Sequence, residues 1–447
     1  MLDERDSPPD LRTFRTLVAF VVVGAALSIA AVIVTGRFLY ADSSYLLLGM
    51  WERGSFFIPH PDRLVGALTT QWMPALAMHL GWRDPGGIAT LFGLNLWLNP
   101  ALAVGGVWWA SRGSREVTTL VLLCVLFLFQ TIYLMIEGES SVTFWLAAIL
   151  VVATLRRDFS YAALLLLPAL LYTHVSAVLV LAPMLAVFLA GRRRYLEYYG
   201  AARYGSLVAL VALGVALLVL RGAEPDPNRA YFLSGAVQTL GNPTFILTVL
   251  AFASLLAYAY RPRLAWASRI FWVSTALLLL FPFVLPEMLW PFFHYRSRAL
   301  NATLAIFVFL YLHGRMHWKL PAPTSLATRH VLALASVLFV FQAKMTWEWR
   351  EHVRHFRAEL ADTVGVIEFP SEGPFADPRS RQFNWSWTTP VRSVVFQAME
   401  QGEVRALMTN AGTTPWQPFD PRVPSELPDL SEYGVRYAPE LLSPRPR

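Results

Sequence analysis

Cysteine is nearly absent from the 447-residue chain: Cys124 is the single thiol, so neither an intramolecular disulfide nor a Cys-rich metal centre can form. Charge is scarce as well. Only 15% of residues are charged against 55% hydrophobic, with a positive mean hydropathy, which argues against an ordinary water-soluble globular protein. No Gly-rich loop ends in GK[ST], and neither HExxH nor GxSxG occurs, so nucleotide-driven transport and the common membrane hydrolases find no support. Aromatics are abundant instead. Sixteen Trp, 29 Phe and 16 Tyr are incompatible with a disordered chain. The net charge of +7 comes from small Arg groups scattered between apolar runs rather than from one basic face, so nucleic acid is not an expected partner.

A helix needs about 20 residues to cross about 30 Å of hydrocarbon, and shorter apolar runs can pair as hairpins within a bundle. Eleven runs qualify: Leu17–Phe38, Ile88–Ala110, Val117–Ile136, Val142–Leu155, Tyr161–Tyr172, Val175–Ala190, Gly205–Leu220, Pro243–Ala259, Ile270–Leu285, Ala299–Leu312 and His330–Ala343. The first lacks a small-residue cleavage site and reads as a retained anchor. With the N-terminus in the cytoplasm, inside segments such as Arg192–Arg194 carry more than twice the Lys and Arg of the outside loops before the tail. The expectation is an all-α polytopic membrane protein of about 11 transmembrane helices, with residues 1–343 as membrane domain and 344–447 as an extracytoplasmic C-terminal region. Arg-, Ala- and Leu-rich composition with little Lys points to a high-GC bacterium, hence to its inner membrane.

Two outside regions are longer than turns. In residues 39–87, Leu64, Leu68, Trp72, Leu76 and Leu80 recur at helical spacing, as expected for an amphipathic helix in the membrane interface. In the tail, KMTWEWREHVRHFRAELADTV reads as a helix continuing out of the last span, followed by a Pro-rich, irregular end.

The chemistry-bearing residues cluster on the outside. Asp42, just beyond the first span in YADSSY, is partly desolvated there and suits a general base or a metal ligand; the alternative is a cap for the following helix. Glu137 and Glu139 flank Gly138 at the outer end of the third span, and could share a divalent ion with Asp42 or solvate a tight turn. His174 lies in a stretch free of charge from Ser160 to Gly191, where a polar group faces a cavity or a structural partner. His294, Arg296 and Arg298, in PFFHYRSRALN, combine imidazole and guanidinium groups at headgroup level, against the usual charge bias, and suit a lipid-linked phosphate. Arg63 is a second phosphate-binding candidate, with pairing to Asp62 as its alternative. Trp385 and Trp387, in FNWSWTTPVRSVVF, could stack on a sugar face or belong to a small core.

This arrangement resembles the GT-C superfamily of membrane glycosyltransferases. The likeness lies in the inside N-terminus, the acid directly after the first span (Asp42 in YADSSY), the long first outer loop with amphipathic helices, about a dozen spans and the outer C-terminal portion. Asp42-Ser43 stands where protein O-mannosyltransferases have an adjacent Asp-Glu pair, and the tail has no WWDYG-type signature, so a separate bacterial branch is implied. The resemblance implies transfer of a sugar from a polyprenyl-phosphate donor to a glycan, lipid or protein hydroxyl, with inversion. Asp42 would act as base, and Arg63, His294, Arg296 and Arg298 would hold the donor phosphate. A divalent metal ion bridging Asp42, Glu137 or Glu139 to the phosphate is a candidate cofactor. A lipid-linked saccharide flippase or transporter and a non-catalytic scaffold subunit of envelope polysaccharide assembly are the readings from other classes.

Overall fold

The computed structural model describes residues 11–40, 42–110, 160–173, 177–222, 241–260, 263–284, 328–370, 372–381, 383–384, 388–409 and 419–443, with Leu146 and Leu150. Within these residues the chain is mostly helical. Eight of the eleven apolar runs form helices: α1 (Leu11–Val34), α4 (Pro85–Ala110), α5 (Ser160–Leu171), α6 (Val178–Ala190), α8 (Ala201–Gly222), α9 (Pro243–Tyr260), α10 (Ala265–Val284) and α11 (Thr328–Ala361). Val117–Ile136 and Ala299–Leu312 lie outside the described residues, and Val142–Leu155 is described at Leu146 and Leu150 only. Among the described residues one helical stretch, Ala201–Leu220, is long and apolar enough to cross a membrane.

Helices pair through small residues and apolar faces. α9 packs on α10, α8 on α5 and α6, and α1 on α11. The Phe339 ring of α11 occupies the place a side chain at Gly24 of α1 would take, so the two helices approach closely there. Between α6 and α8 the short α7 (Arg192–Tyr199) turns Tyr195 and Tyr199 inward and leaves Arg192, Arg193 and Arg194 exposed. Tyr204 anchors this corner by donating a hydrogen bond to the Phe188 carbonyl oxygen at 3.0 Å.

The first loop is built of α2 (Asp42–Arg53) and α3 (Leu64–His79). α3 carries the expected stripe: Leu64, Leu68, Trp72 and Leu76 are exposed, continued by Leu80 just beyond its end. Its opposite face is made of small residues, Gly66, Ala67, Ala75 and Ala77 among them, and packs on α4. Pro74 interrupts the hydrogen-bond ladder of α3, since proline has no N–H and crowds the preceding turn. Asn95 of α4 mends the break: its Oδ1 accepts from the Met73 N–H at 2.7 Å and its Nδ2 donates to the Thr69 carbonyl at 2.7 Å. Because Asn95 lies ten residues into α4 and faces the turn of α3 six to ten residues before that helix ends, the two form an antiparallel hairpin.

α11 continues without a break from an apolar first half to a charged second half, 34 residues in all, as the tail sequence led one to expect. The tail beyond it adds four short strands, the strands found among the described residues. β1 (Gly365–Glu368) pairs in parallel with β3 (Ala406–Thr409), Gly365 opposite Ala406, and β2 (Glu403–Val404) with β4 (Arg436–Tyr437). Parallel neighbours need a crossover, and α12 (Thr389–Glu400) supplies it for β1 and β3. Every residue of α12 from Thr389 to Ala398 is buried. Gln397 fastens it to the sheet, accepting from the Arg405 and Ala406 N–H groups at 2.8 and 3.1 Å and donating to the Ala406 carbonyl at 2.6 Å.

The first loop and the tail are one packed body. α12 rests on α2 and α4 as well as on the strands. The Tyr433 ring lies 6.3 Å from Trp51, its hydroxyl donates to the Met78 sulfur at 3.3 Å, and the Arg83 guanidinium lies over it at 5.7 Å.

Candidate functional site

The chain leaves α1 through Gly36, whose φ of +65° favours glycine, and Arg37–Leu39 then form a single tight turn leading to Tyr40. Arg37 is 1% exposed. Its guanidinium donates to the Thr346 hydroxyl at 2.6 Å and to the Gln342 carbonyl and side-chain oxygens at 3.2 and 3.0 Å, pinning this turn to α11. Trp349, fully buried, adds a hydrogen bond from Nε1 to the Thr35 carbonyl at 3.1 Å. The turn from Thr35 to Arg37 is therefore held by α11.

Asp42 opens α2 and is half-buried, followed by the buried hydroxyls Ser43 and Ser44. At the first turn of a helix a carboxylate faces the positive end of the backbone dipole. Tyr40, two residues earlier, has its ring edge-on to Trp349 and to Phe383, both at 5.7 Å between centroids. Phe383 begins the FNWSW segment, so the tail is brought against the entrance of α2.

Beneath this contact lies a buried cation that sequence reasoning did not single out. Arg392 is fully buried on α12, and its hydrogen bonds go to the Phe383 carbonyl at 2.8 Å, the Thr389 hydroxyl at 3.4 Å and His352 Nε2 at 3.3 Å, none of them a carboxylate. The guanidinium lies over the Phe356 ring at 5.3 Å. Burial brings its pKa down to about 10, partly offset by the nearby Tyr40 phenol, so it remains charged at neutral pH. An Arg can only donate, so the His352 nitrogen facing it, Nε2, carries no proton. The proton sits on Nδ1 and is donated to Ser380 Oγ at 2.7 Å. Ser380 is thus an acceptor in this pair, not a nucleophile with a base behind it. Burial first, and then the charges of Arg392 and His355, push His352 well below the usual imidazole value. A lone Arg in the apolar run VRSVVF was the signal for this cluster in the sequence.

Arg63 ends the short helical turn Pro61–Arg63 at the foot of α3 and is half-buried. Close by, the Val65 N–H donates to the Tyr172 carbonyl at 2.9 Å, joining the first loop to the end of α5. Phe57 links this region back to α2: Gln71 holds both its backbone groups at 2.8 Å, and its ring fills the space beside Gly49. Glu137, Glu139, His174, His294, Arg296, Arg298, Trp385 and Trp387 lie outside the described residues. Among the described residues no three His, Cys, Asp or Glu side chains gather as metal ligands. Comparison with protein-family models, with characterised proteins and with solved structures finds no match to this chain.

Proposed function

We propose that the protein is a membrane-embedded glycosyltransferase of GT-C type, working on the extracytoplasmic face with a polyprenyl-phosphate sugar as donor. The observation that carries this reading is the meeting of Tyr40 with Phe383, which brings Phe383 of the tail against the turn that leads into α2. A base at the mouth of the membrane domain, with Phe383 of the tail packed beside the turn before it, suits a sugar acceptor delivered from outside to a lipid-borne donor. The membrane setting is supported by the distribution of apolar surface. Val22, Val23 and Leu27 of α1, Leu213, Leu217 and Leu220 of α8, and Val273, Leu280 and Phe283 of α10 are all exposed, a surface that water would penalise and lipid would not. In the described tail, by contrast, Trp347, Val364 and Leu442 are the exposed large hydrophobics.

In this mechanism Asp42 takes the proton of the acceptor hydroxyl. The oxygen forms its bond to the anomeric carbon as the bond to the donor phosphate breaks on the opposite side, inverting the centre. The polyprenyl phosphate leaves as an anion, stabilised by Arg63, His294, Arg296 and Arg298, so no separate acid is needed. The test is mass spectrometry of lipids retained by purified wild type, Asp42→Asn and Arg296→Ala/Arg298→Ala. A polyprenyl-phosphate sugar held by wild type and Asp42→Asn, and lost from the double variant, supports the transferase. Bulk phospholipid alone in all three, with a stoichiometric protein partner, would replace it with a scaffold.

A further inference from the structure

α1 and α11 lie side by side and run in the same direction. Phe20 and Gly24 of α1 meet the Phe339 ring, and further along both helices the Thr35 carbonyl accepts from Trp349 Nε1. At about 100° per residue, these contacts fix which way each helix faces. Val23, Leu27 and Val34 lie about 60–100° round α1 from Gly24 in one sense. Trp347, Arg350 and Arg354 lie about 60–120° round α11 from the side that meets α1, in the other sense. Because parallel helices face each other across their seam, opposite senses lead to the same side of the pair.

That side is uncovered, and its character changes with height. Val23, Leu27 and Val34 are 56%, 66% and 86% exposed, Trp347 is 61% exposed, and Arg350 and Arg354 are exposed above it. The Arg37 guanidinium reaches Thr346, so Trp347 stands level with the turn where the first apolar run ends. In the orientation proposed above this is the outer boundary of the bilayer, where Trp is favoured. Arg350 lies about 4.5 Å further out and Arg354 about 6 Å beyond that. The Arg350 guanidinium rests over the Trp347 ring at 6.0 Å, and among the described residues it has no carboxylate partner, whereas Arg354 pairs with Glu351. One uncompensated positive charge therefore sits directly above an apolar track.

We infer that this side of the α1–α11 seam docks an anionic diacyl phospholipid of the extracytoplasmic leaflet, with an acyl chain along Val23, Leu27 and Val34 and the phosphate on Arg350 and Arg354. The inference rests on the membrane setting and orientation of the proposed function, not on sugar transfer. Length and charge select the occupant. From Val23 to Val34 the track rises about 16 Å, close to one leaflet of a hydrocarbon layer about 30 Å thick, and a polyprenyl chain overruns it. A phosphodiester brings one negative charge to the one uncompensated guanidinium, whereas a phosphomonoester brings nearly two. Guanidinium donates paired hydrogen bonds to phosphate oxygens, and a zwitterionic headgroup offsets that attraction with its own ammonium. The lipid bridges the two helices whose contacts hold the turn from Thr35 to Arg37.

Native mass spectrometry of the purified full-length protein, titrated with phosphatidylglycerol or phosphatidylcholine, tests this. Wild type is compared with Arg350→Gln/Arg354→Gln and with Arg405→Gln/Arg422→Gln, which removes the same charge from exposed tail positions away from the seam. The inference expects the tightest-bound phosphatidylglycerol to be held at least about fivefold more weakly by the first variant and within about twofold of wild type by the second. Phosphatidylcholine is expected to bind all three alike, which also reports that the fold is kept. Undiminished phosphatidylglycerol binding to Arg350→Gln/Arg354→Gln overturns the docking site while leaving the membrane reading intact. Equal weakening in both double variants also overturns it, because overall charge would then suffice. A polyprenyl phosphate that displaces phosphatidylglycerol at equal concentration overturns the choice of occupant. Release of the protein from membranes by alkaline carbonate overturns the membrane setting on which the inference rests.

Discussion

Acid is expected to loosen the body formed by the first loop and the tail, and His352 is the group through which it acts. His352 is 2% exposed, holds the Arg392 guanidinium 3.3 Å from Nε2, and has its folded pKa well below the ordinary 6.5. A second positive charge there would face Arg392 with no carboxylate among the hydrogen-bond partners of either side chain. The folded state therefore resists a proton that the unfolded chain accepts below pH 6.5. Stability from this site is fully present above that value and falls as pH drops through the window between 6.5 and the folded pKa. One proton contributes at most about 1.4 kcal/mol per pH unit, so lowering the pH from about 7.5 to about 5 removes at most about 2 kcal/mol. The assay is thermal unfolding of the purified protein in detergent across that range, comparing wild type with His352→Gln. Other titrating groups are common to both proteins, so the difference in slope isolates His352. Parallel pH profiles for the two would refute the buried neutral imidazole and its contact with Arg392.

Two packing predictions concern the first loop. Asn95→Leu leaves the Met73 N–H and Thr69 carbonyl beside Pro74 without their bridge, and is expected to lower stability by about 2 kcal/mol; a loss below about 0.5 kcal/mol in thermal or denaturant unfolding would mean the mended break carries no weight. Gly49→Ala drives a methyl group into the Phe57 ring, which cannot retreat because Gln71 holds the Phe57 backbone on both sides. The expected loss is about 1–3 kcal/mol, recovered in part by adding Phe57→Leu, and an additive double variant would show that the two residues do not compete for the same space.

Much of the helical layout was legible in the sequence because its causes are local. The stripe from Leu64 to Leu80 has the period of a helix, and α3 displays it on one exposed face. The charged segment after Ala343 has the same period as the run before it, and α11 passes through both without interruption. Even the short runs on either side of His174 formed helices, α5 and α6, within three residues of their apolar limits.

What the tertiary structure alone decided depends on residues far apart in the chain. Nothing local tells α3 to double back along α4 instead of lying flat on the surface: that follows from Asn95 reaching the break at Pro74. Nothing near Tyr40 announces Phe383, or near Met78 announces Tyr433, yet these contacts across more than 300 residues bring the first loop and the tail together around Asp42. Arg392 reads in sequence as one more cation on a helix. Only when α11, α12 and the Phe383 carbonyl close over it does it become a buried charge held by neutral oxygens, an imidazole and an aromatic face, because the cost of removing it from water is set by everything packed around it and not by its neighbours in the chain.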